Sequence, residues 1–155
     1  MGGTSNLHLP LRPPLVHLRW VDRLGLIWEY HIRTGQLWHF PERSDGSEGA
    51  AEFMGEGYSG KGEGLNNPLY QLEKNVGPIL EGEWSIGPPE DTPLGNPTLP
   101  LTPKSGTQTF GRSDFFIHAD NPCECFTASR GCIVLSQQIR KKIAGSGDRN
   151  LRVVP

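Results

Sequence analysis

No stretch of this 155-residue chain approaches the roughly 20 consecutive apolar residues of a membrane-spanning helix. Charge of one sign is missing too: 15 basic against 17 acidic side chains leave a formal net charge of −2 and a pI near 6.2. That balance excludes the basic footprint by which nucleic-acid-binding domains hold phosphate. Apolar residues make up only 35% of the chain, and no internal repeat is evident. Cysteine is scarce: there are three, an odd number that leaves at least one thiol without a partner in the chain.

What the chain has instead is turn material. Its 20 glycines and 14 prolines favour short strands joined by many turns over a helical bundle. The length suffices for one domain with a usable core. The fold expected is therefore mainly β.

Chemistry concentrates between Phe115 and Leu135. An apolar run ends at His118, Ala119-Asp120-Asn121 follow, and Ser129-Arg130-Gly131-Cys132 leads into Ile133-Val134-Leu135. A thiol nucleophile needs a thiolate, a base within hydrogen-bond reach and donors for the oxyanion. His118 and Asp120 stand two apart and share a face if this is a strand, so Asp120 is a candidate to orient the imidazole. Gly131 permits a tight turn that would present the Gly131 and Cys132 amides to a substrate carbonyl. The same residues admit other readings. Cys132 before three aliphatic residues suits a plain core thiol. His118, Cys123, Cys125 and Cys132 are four soft ligands close in sequence, but structural zinc sites usually separate paired cysteines by two to four residues, and Cys123-Glu124-Cys125 leaves one. No metal or other cofactor is expected.

Ser129-Arg130-Gly131-Cys132-Ile133 resembles the Ser/Thr-His-Gly-Cys nucleophile signature of L,D-transpeptidases, and Phe116-Ile117-His118-Ala119-Asp120-Asn121 resembles the segment before it. The narrower resemblance is to the type VI secretion L,D-transpeptidase effectors, toxins that attack the peptidoglycan of competing bacteria. It extends, in the family's order, through Tyr58–Pro68, Asn75–Ile79, Gly82–Gly87 and Gly111–Ser113, and covers about Trp28 to Val154. One position departs: Arg130 stands where ordinary L,D-transpeptidases carry a histidine, and the effector resemblance implies the upstream His118 as the base. The family suggests no role for Cys123 and Cys125. In an oxidising compartment they would pair with each other, or one would trap Cys132 as a removable lock.

Taken in order, residues 1–19 contain Pro10, Pro13 and Pro14 and lack a signal-peptide apolar core. A flexible arm is expected there, or a segment that docks on a secretion apparatus, with the catalytic domain over 20–155. Leu26–Phe40 reads as a hairpin around Thr34-Gly35, with Trp28, Tyr30 and Ile32 inward and His31 and His39 at surface or cross-strand positions. Pro41–Ala51 reads as a loop. Phe53–Tyr58 suits a short strand before the glycine-rich segment, which lacks the Gly-Lys-Ser/Thr ending of a phosphate loop. Tyr58, Asn66 and Asn67 are candidate substrate contacts there, against an ordinary wide turn built on Asn-Asn-Pro. Pro68–Lys74 suits one or two helical turns, and Gly82–Gly87 a strand with Trp84 and Ile86 inward. Gly87–Pro97 reads as a loop and Thr98–Pro103 as an edge strand, because Pro100 cannot donate to a ladder. Arg112 is a candidate clamp for a substrate carboxylate, against a plain surface arginine. Ser136 caps a short helix from Gln137 that Gly145 follows, and Leu151–Val154 closes the chain as a strand.

The resemblance implies an L,D-transpeptidase-like mixed β-sheet with a short C-terminal helix. It also implies a protein made in the bacterial cytoplasm, delivered by type VI secretion components to a target periplasm and countered by a cognate immunity protein. In that setting Cys132 attacks the stem tetrapeptide, His118 moves the proton, and Gly131, Cys132 and Arg130 support the oxyanion, with Ser129 part of the signature. Water or a D-amino acid resolves the thioester, giving L,D-carboxypeptidase or transpeptidase activity. The rivals are a zinc-stapled or wall-binding module without catalysis, and a thiol peptidoglycan hydrolase cutting another bond.

Overall fold

The computed structural model of the protein describes residues 27–41 and 50–155. The expected arm over 1–19 and most of the loop over Pro41–Ala51 lie outside them. The strands are β1 (Ile27–His31), β2 (Gln36–Phe40), β3 (Glu52–Glu56), β4 (Tyr58–Ser59), β5 (Gly82–Ile86), β6 (Glu90–Thr92), β7 (Gly95–Pro103), β8 (Phe115–His118), β9 (Ile133–Val134) and β10 (Asn150–Val154). One helix, α1 (Gln137–Ser146), lies between β9 and β10. The mainly-β expectation holds.

The strands form one mixed sheet in the order β3-β2-β1-β10-β5-β7-β8-β9-β4, with β6 paired to β7. β1 runs parallel to β10 and β8 parallel to β9; the remaining neighbours are antiparallel. β3 and β4 occupy opposite ends of that order yet are separated in sequence by Gly57 alone, so the sheet curls until its two edges meet. Gly57 makes the meeting possible: its amide donates to the Gly35 carbonyl at 2.8 Å, and a Cβ there would lie only 1.8 Å from the Val134 carbonyl oxygen.

The core lies inside this curl and under α1. Trp28, Tyr30, Ile79, Trp84, Leu99, Ile117, Ile133 and Leu151 are essentially sealed from solvent, and Ile139 and Ile143 of α1 pack against them. Ser136 accepts from the Ile139 amide as N-cap. The helix runs on through Gly145 and ends at left-handed Gly147 (φ 77°), two residues beyond the glycine that the sequence nominated. His31 bonds within its own strand, meeting Glu29 at 2.9 Å, and His39 takes a cross-strand role, stacked on its partner Trp28.

Two expectations are corrected here. Gly87–Pro97 is no plain loop, since it contains β6 and the start of β7. β7 is interior, between β5 and β8, despite Pro97, Pro100 and Pro103. Its partners are staggered: β8 pairs with Leu99–Leu101 and β5 with Leu101–Pro103. No long ladder on either side therefore needs a donor from every residue.

Candidate active site

β8 and β9 run side by side with Ile117 opposite Ile133 and His118 opposite Val134. Continuing that register by one residue sets Cys132 across from Phe116, diagonal to His118. Strand spacing and rise place such diagonal Cα atoms on the order of 8 Å apart. Thiol and imidazole thus start from neighbouring positions on adjacent parallel strands, although they make no direct contact. The Cys132 thiol donates to the Asp114 carbonyl at 3.5 Å and receives the Phe116 amide.

His118 is 4% exposed. Its Nδ1 lies 2.7 Å from the Ala119 carbonyl, and a carbonyl can only accept. Nδ1 therefore carries the proton, and the lone pair of the neutral ring sits on Nε2. Burial lowers the imidazole pKa below its ordinary 6.5, opposed by the Ala119 hydrogen bond and reinforced by the positive charge of Arg140. The result is a neutral imidazole at pH 7, the form a base must have. Cys132 is partly exposed, and burial pushes its thiol up to about 11; the Phe116 amide and the Arg112 guanidinium pull it down, while Asp114 pushes it up. At neutral pH Cys132 therefore rests as the protonated thiol.

Of the two groups able to orient the His118 ring, the backbone carbonyl does so. Asp120 is engaged elsewhere: its Oδ1 accepts from the Tyr58 hydroxyl at 2.7 Å and the Asn121 amide at 2.9 Å. Tyr58 also accepts from the Ala128 amide and is 3% exposed. It ties β4 to the segment between β8 and β9 instead of lining open space with its hydroxyl, and burial with the Asp120 bond pushes that hydroxyl up to about 12.

The turn that carries Cys132 is braced from within. The fully buried Ser129 hydroxyl donates to the Cys132 carbonyl at 2.6 Å and accepts from the amides of Gly60 and Gly131 at 2.8 and 3.1 Å. Ser59, equally buried, donates to the Gly131 carbonyl and accepts from the Ile79 amide. The Gly131 amide is thus already engaged, which corrects its expected role as an oxyanion donor. Gly131 itself is required: its φ is 139°, and a Cβ would stand 2.5 Å from Arg112 Nη2.

Arg112 is neither a surface residue nor a free clamp. It is 5% exposed, and its guanidinium lies over the Phe115 ring. Nη1 donates to the carbonyls of Gln71 and Pro78, and Nη2 to those of Gly77 and Arg130. Four backbone carbonyls from two loops exhaust most of its five donors, so it is a strut between the 71–78 loop and the nucleophile turn. Asn66, at φ 51°, accepts from the Ser59 amide, and Asn67 caps the short 3-10 turn Pro68–Tyr70. Both do the work of the ordinary turn.

Two cavities flank the strand pair. One of about 240 Å³ holds Cys132 with Lys74, Asn75, Arg112, Asp114 and Arg130 on its walls. One of about 680 Å³ lies at the other end, beside Tyr58, Asp120, Phe126 and Val134. His118 lines neither; along β8 it follows Phe115, on the wall of the smaller cavity, and precedes Ala119, on the wall of the larger. Cys123 and Cys125 are joined by a disulfide in the exposed 121–128 segment, and Cys132 is free. That pairing engages two of the four ligands named for the zinc alternative; among the described residues no three or more His, Cys, Asp or Glu side chains gather to hold a metal.

Sequence reasoning missed Ser59, Lys74 and Asn75. Ser59 and Asn75 stand in segments that carry the resemblance and Lys74 just before one, but nothing local announces that residues 57 to 73 positions before Cys132 come to its turn or cavity. Asn75 and Asp114, both at positive φ (67° and 65°) on the cavity wall, are backbone outliers of the kind that collect at functional sites, and a sequence does not display φ.

The fold and site describe a curled mixed β-sheet domain that presents a thiol and a neutral imidazole on neighbouring parallel strands. Residues 54–154 match the Tlde1 domain, and the chain belongs to that family, the type VI L,D-transpeptidase effectors that act on peptidoglycan. Among solved structures it is similar to the helical cell shape determining protein Pgp2 from Campylobacter jejuni, with TM-score 0.53 and 17% identity over 84% of this chain. The match spans 46% of that protein, so it bears on the fold alone. No curated protein matches the sequence.

Proposed function

We propose that the protein cleaves or exchanges the terminal D-alanine of peptidoglycan stem tetrapeptides through a thioester on Cys132. The observation that carries this reading is the pairing of a free thiol with an imidazole whose Nε2 is left unprotonated, one strand apart. His118 Nε2 takes the thiol proton as Sγ attacks the carbonyl between the diamino acid and D-alanine, and returns it to the leaving amine. The resting thiol leaves the Asp114 carbonyl when substrate arrives, in keeping with the looseness of catalytic hydrogen bonds in unliganded sites. With the Gly131 amide engaged, the Cys132 amide is the oxyanion donor. Water resolves the thioester to a tripeptide; a D-amino acid resolves it to an exchanged tetrapeptide. Delivery through type VI components to a target periplasm, and a cognate immunity protein, are part of the same proposal, supported by the family match.

The test is mass spectrometry of muropeptides after incubation with the protein, Cys132→Ala or His118→Ala, with and without D-methionine. Loss of one alanine, or its replacement by D-methionine, only with both residues present supports the reading. Unchanged tetrapeptides would favour a wall-binding module, and a cut at another bond a different thiol hydrolase.

A further inference from the structure

The small cavity around Cys132 is basic at its rim and spoken for at its base. Beneath it, Arg112 is saturated by backbone carbonyls. At the rim, Lys74 and Arg130 are exposed, and neither side chain makes a hydrogen bond or ion pair with a described residue. Opposing them is Asp114, whose carboxylate accepts from Ser113. The strut through Arg112 fixes the spacing of the rim cations, since it holds the Arg130 carbonyl and, through Gln71 and Gly77, both ends of the loop that carries Lys74. Two long cationic side chains on the wall of the cavity that holds Cys132, neither bonded to a described residue, can receive an anion held next to the attacked bond.

We infer that Lys74 and Arg130 read the free α-carboxylate of the residue that Cys132 displaces, which makes the site specific for a terminal, unamidated residue. This rests on the proposed attack by Cys132. The size of the cavity is compatible with the assignment: about 240 Å³, at about 30 Å³ per water, is the room of about eight waters, ample for a terminal alanine and its carboxylate. The branched, chain-bearing acyl side needs the open side of the site, where the larger cavity lies beyond His118. A carboxylate at the rim accepts from the Arg130 fork and the Lys74 ammonium. A carboxamide, or a further residue as in a crosslink, offers no negative charge and lengthens the group.

The experiment compares D-alanine release from a stem tetrapeptide and from its terminal carboxamide, by the full chain and by Lys74→Met/Arg130→Gln. The protein should favour the free acid by roughly tenfold or more in kcat/KM, the scale of one charge-assisted hydrogen bond. The double variant should lose that preference chiefly through KM, and Lys74→Arg with Arg130→Lys should restore part of it. A second readout needs no turnover: the rate at which anionic iodoacetate, relative to neutral iodoacetamide, alkylates Cys132. That ratio should fall several-fold in the double variant. An unchanged acid preference, or an unchanged alkylation ratio, overturns the carboxylate reader. If the ratio falls while the unmodified protein turns over neither peptide, the anion site stands and the proposed reaction is what fails.

Discussion

Ser129 satisfies one carbonyl and two amides with a single hydroxyl, all within the turn that presents Cys132. Ser129→Ala leaves three backbone groups in a buried place without that partner, at about 1–3 kcal/mol for each that stays unsatisfied. The expected outcome is a clearly lower Tm and faster, less selective alkylation of Cys132, checked by thermal denaturation and a thiol-reactive probe. The titration behaviour of the pair yields a second prediction. Because burial depresses His118 below 6.5, the neutral base persists as pH falls through 7, and the acid limb of kcat/KM should lie below 6.5. In His118→Ala the thiol is left to ionise alone. Its alkylation should then climb about tenfold per pH unit and level off only near pH 11; a plateau near neutrality would refute the assignment of the base. A thiol titration of the native protein should count one free thiol, rising to three after full reduction. At this scale the sequence was most readable in singling out His118 and Cys132 as a pair, whose segments the β8–β9 register sets side by side. Arg112 was misread because an arginine's partners here are carbonyls contributed by loops up to 41 residues away, and any residue can supply a carbonyl.

Among the elements, the junction between β3 and β4 has the least tolerance. Gly57→Ala drives a methyl into the Val134 carbonyl and the Leu135 side chain, and backbone cannot step aside as a flexible side chain does. The variant should unfold at a markedly lower denaturant concentration, and the disturbance should reach the site, because Val134 is the cross-strand neighbour of both Tyr58 and His118. Loss of alkylation selectivity at Cys132 in folded Gly57→Ala would report that coupling. Most strands were legible from alternation and turn residues: β1, β2, β5 and β8 fall close to where the pattern put them. β7 was read as a strand over Thr98–Pro103 but placed at an edge, since a proline rule that suits full ladders misjudged a strand whose pairings with β5 and β8 overlap at Leu101 alone. The continuation of α1 through Gly145 to Ser146 was hidden for a similar reason, as packing of Ile139 and Ile143 outweighs the modest cost of one helical glycine.

Across the whole molecule, β10 is the strand that joins the halves. Its Arg152 lies directly opposite Glu29 of β1 and meets it at 2.9 Å, with Glu29 fully buried. Arg152→Met would leave that carboxylate sealed away from its cation, at about 3–5 kcal/mol, measurable as a loss of Tm well beyond that of Glu52→Gln on the exposed edge strand. The sequence showed the alternation of β1 but not this pair: Glu29 occupies a position that reads as solvent-facing, and only the arrival of β10 alongside it creates the partner. β10 comes after every residue of the candidate site in sequence yet lies inside the sheet, flanked by β1 and β5. A fragment cut before Asn150 keeps His118 and Cys132 but lacks the strand that joins the two halves of the sheet, so a single cleavage there should erase the alkylation selectivity of Cys132 without removing any residue of the site.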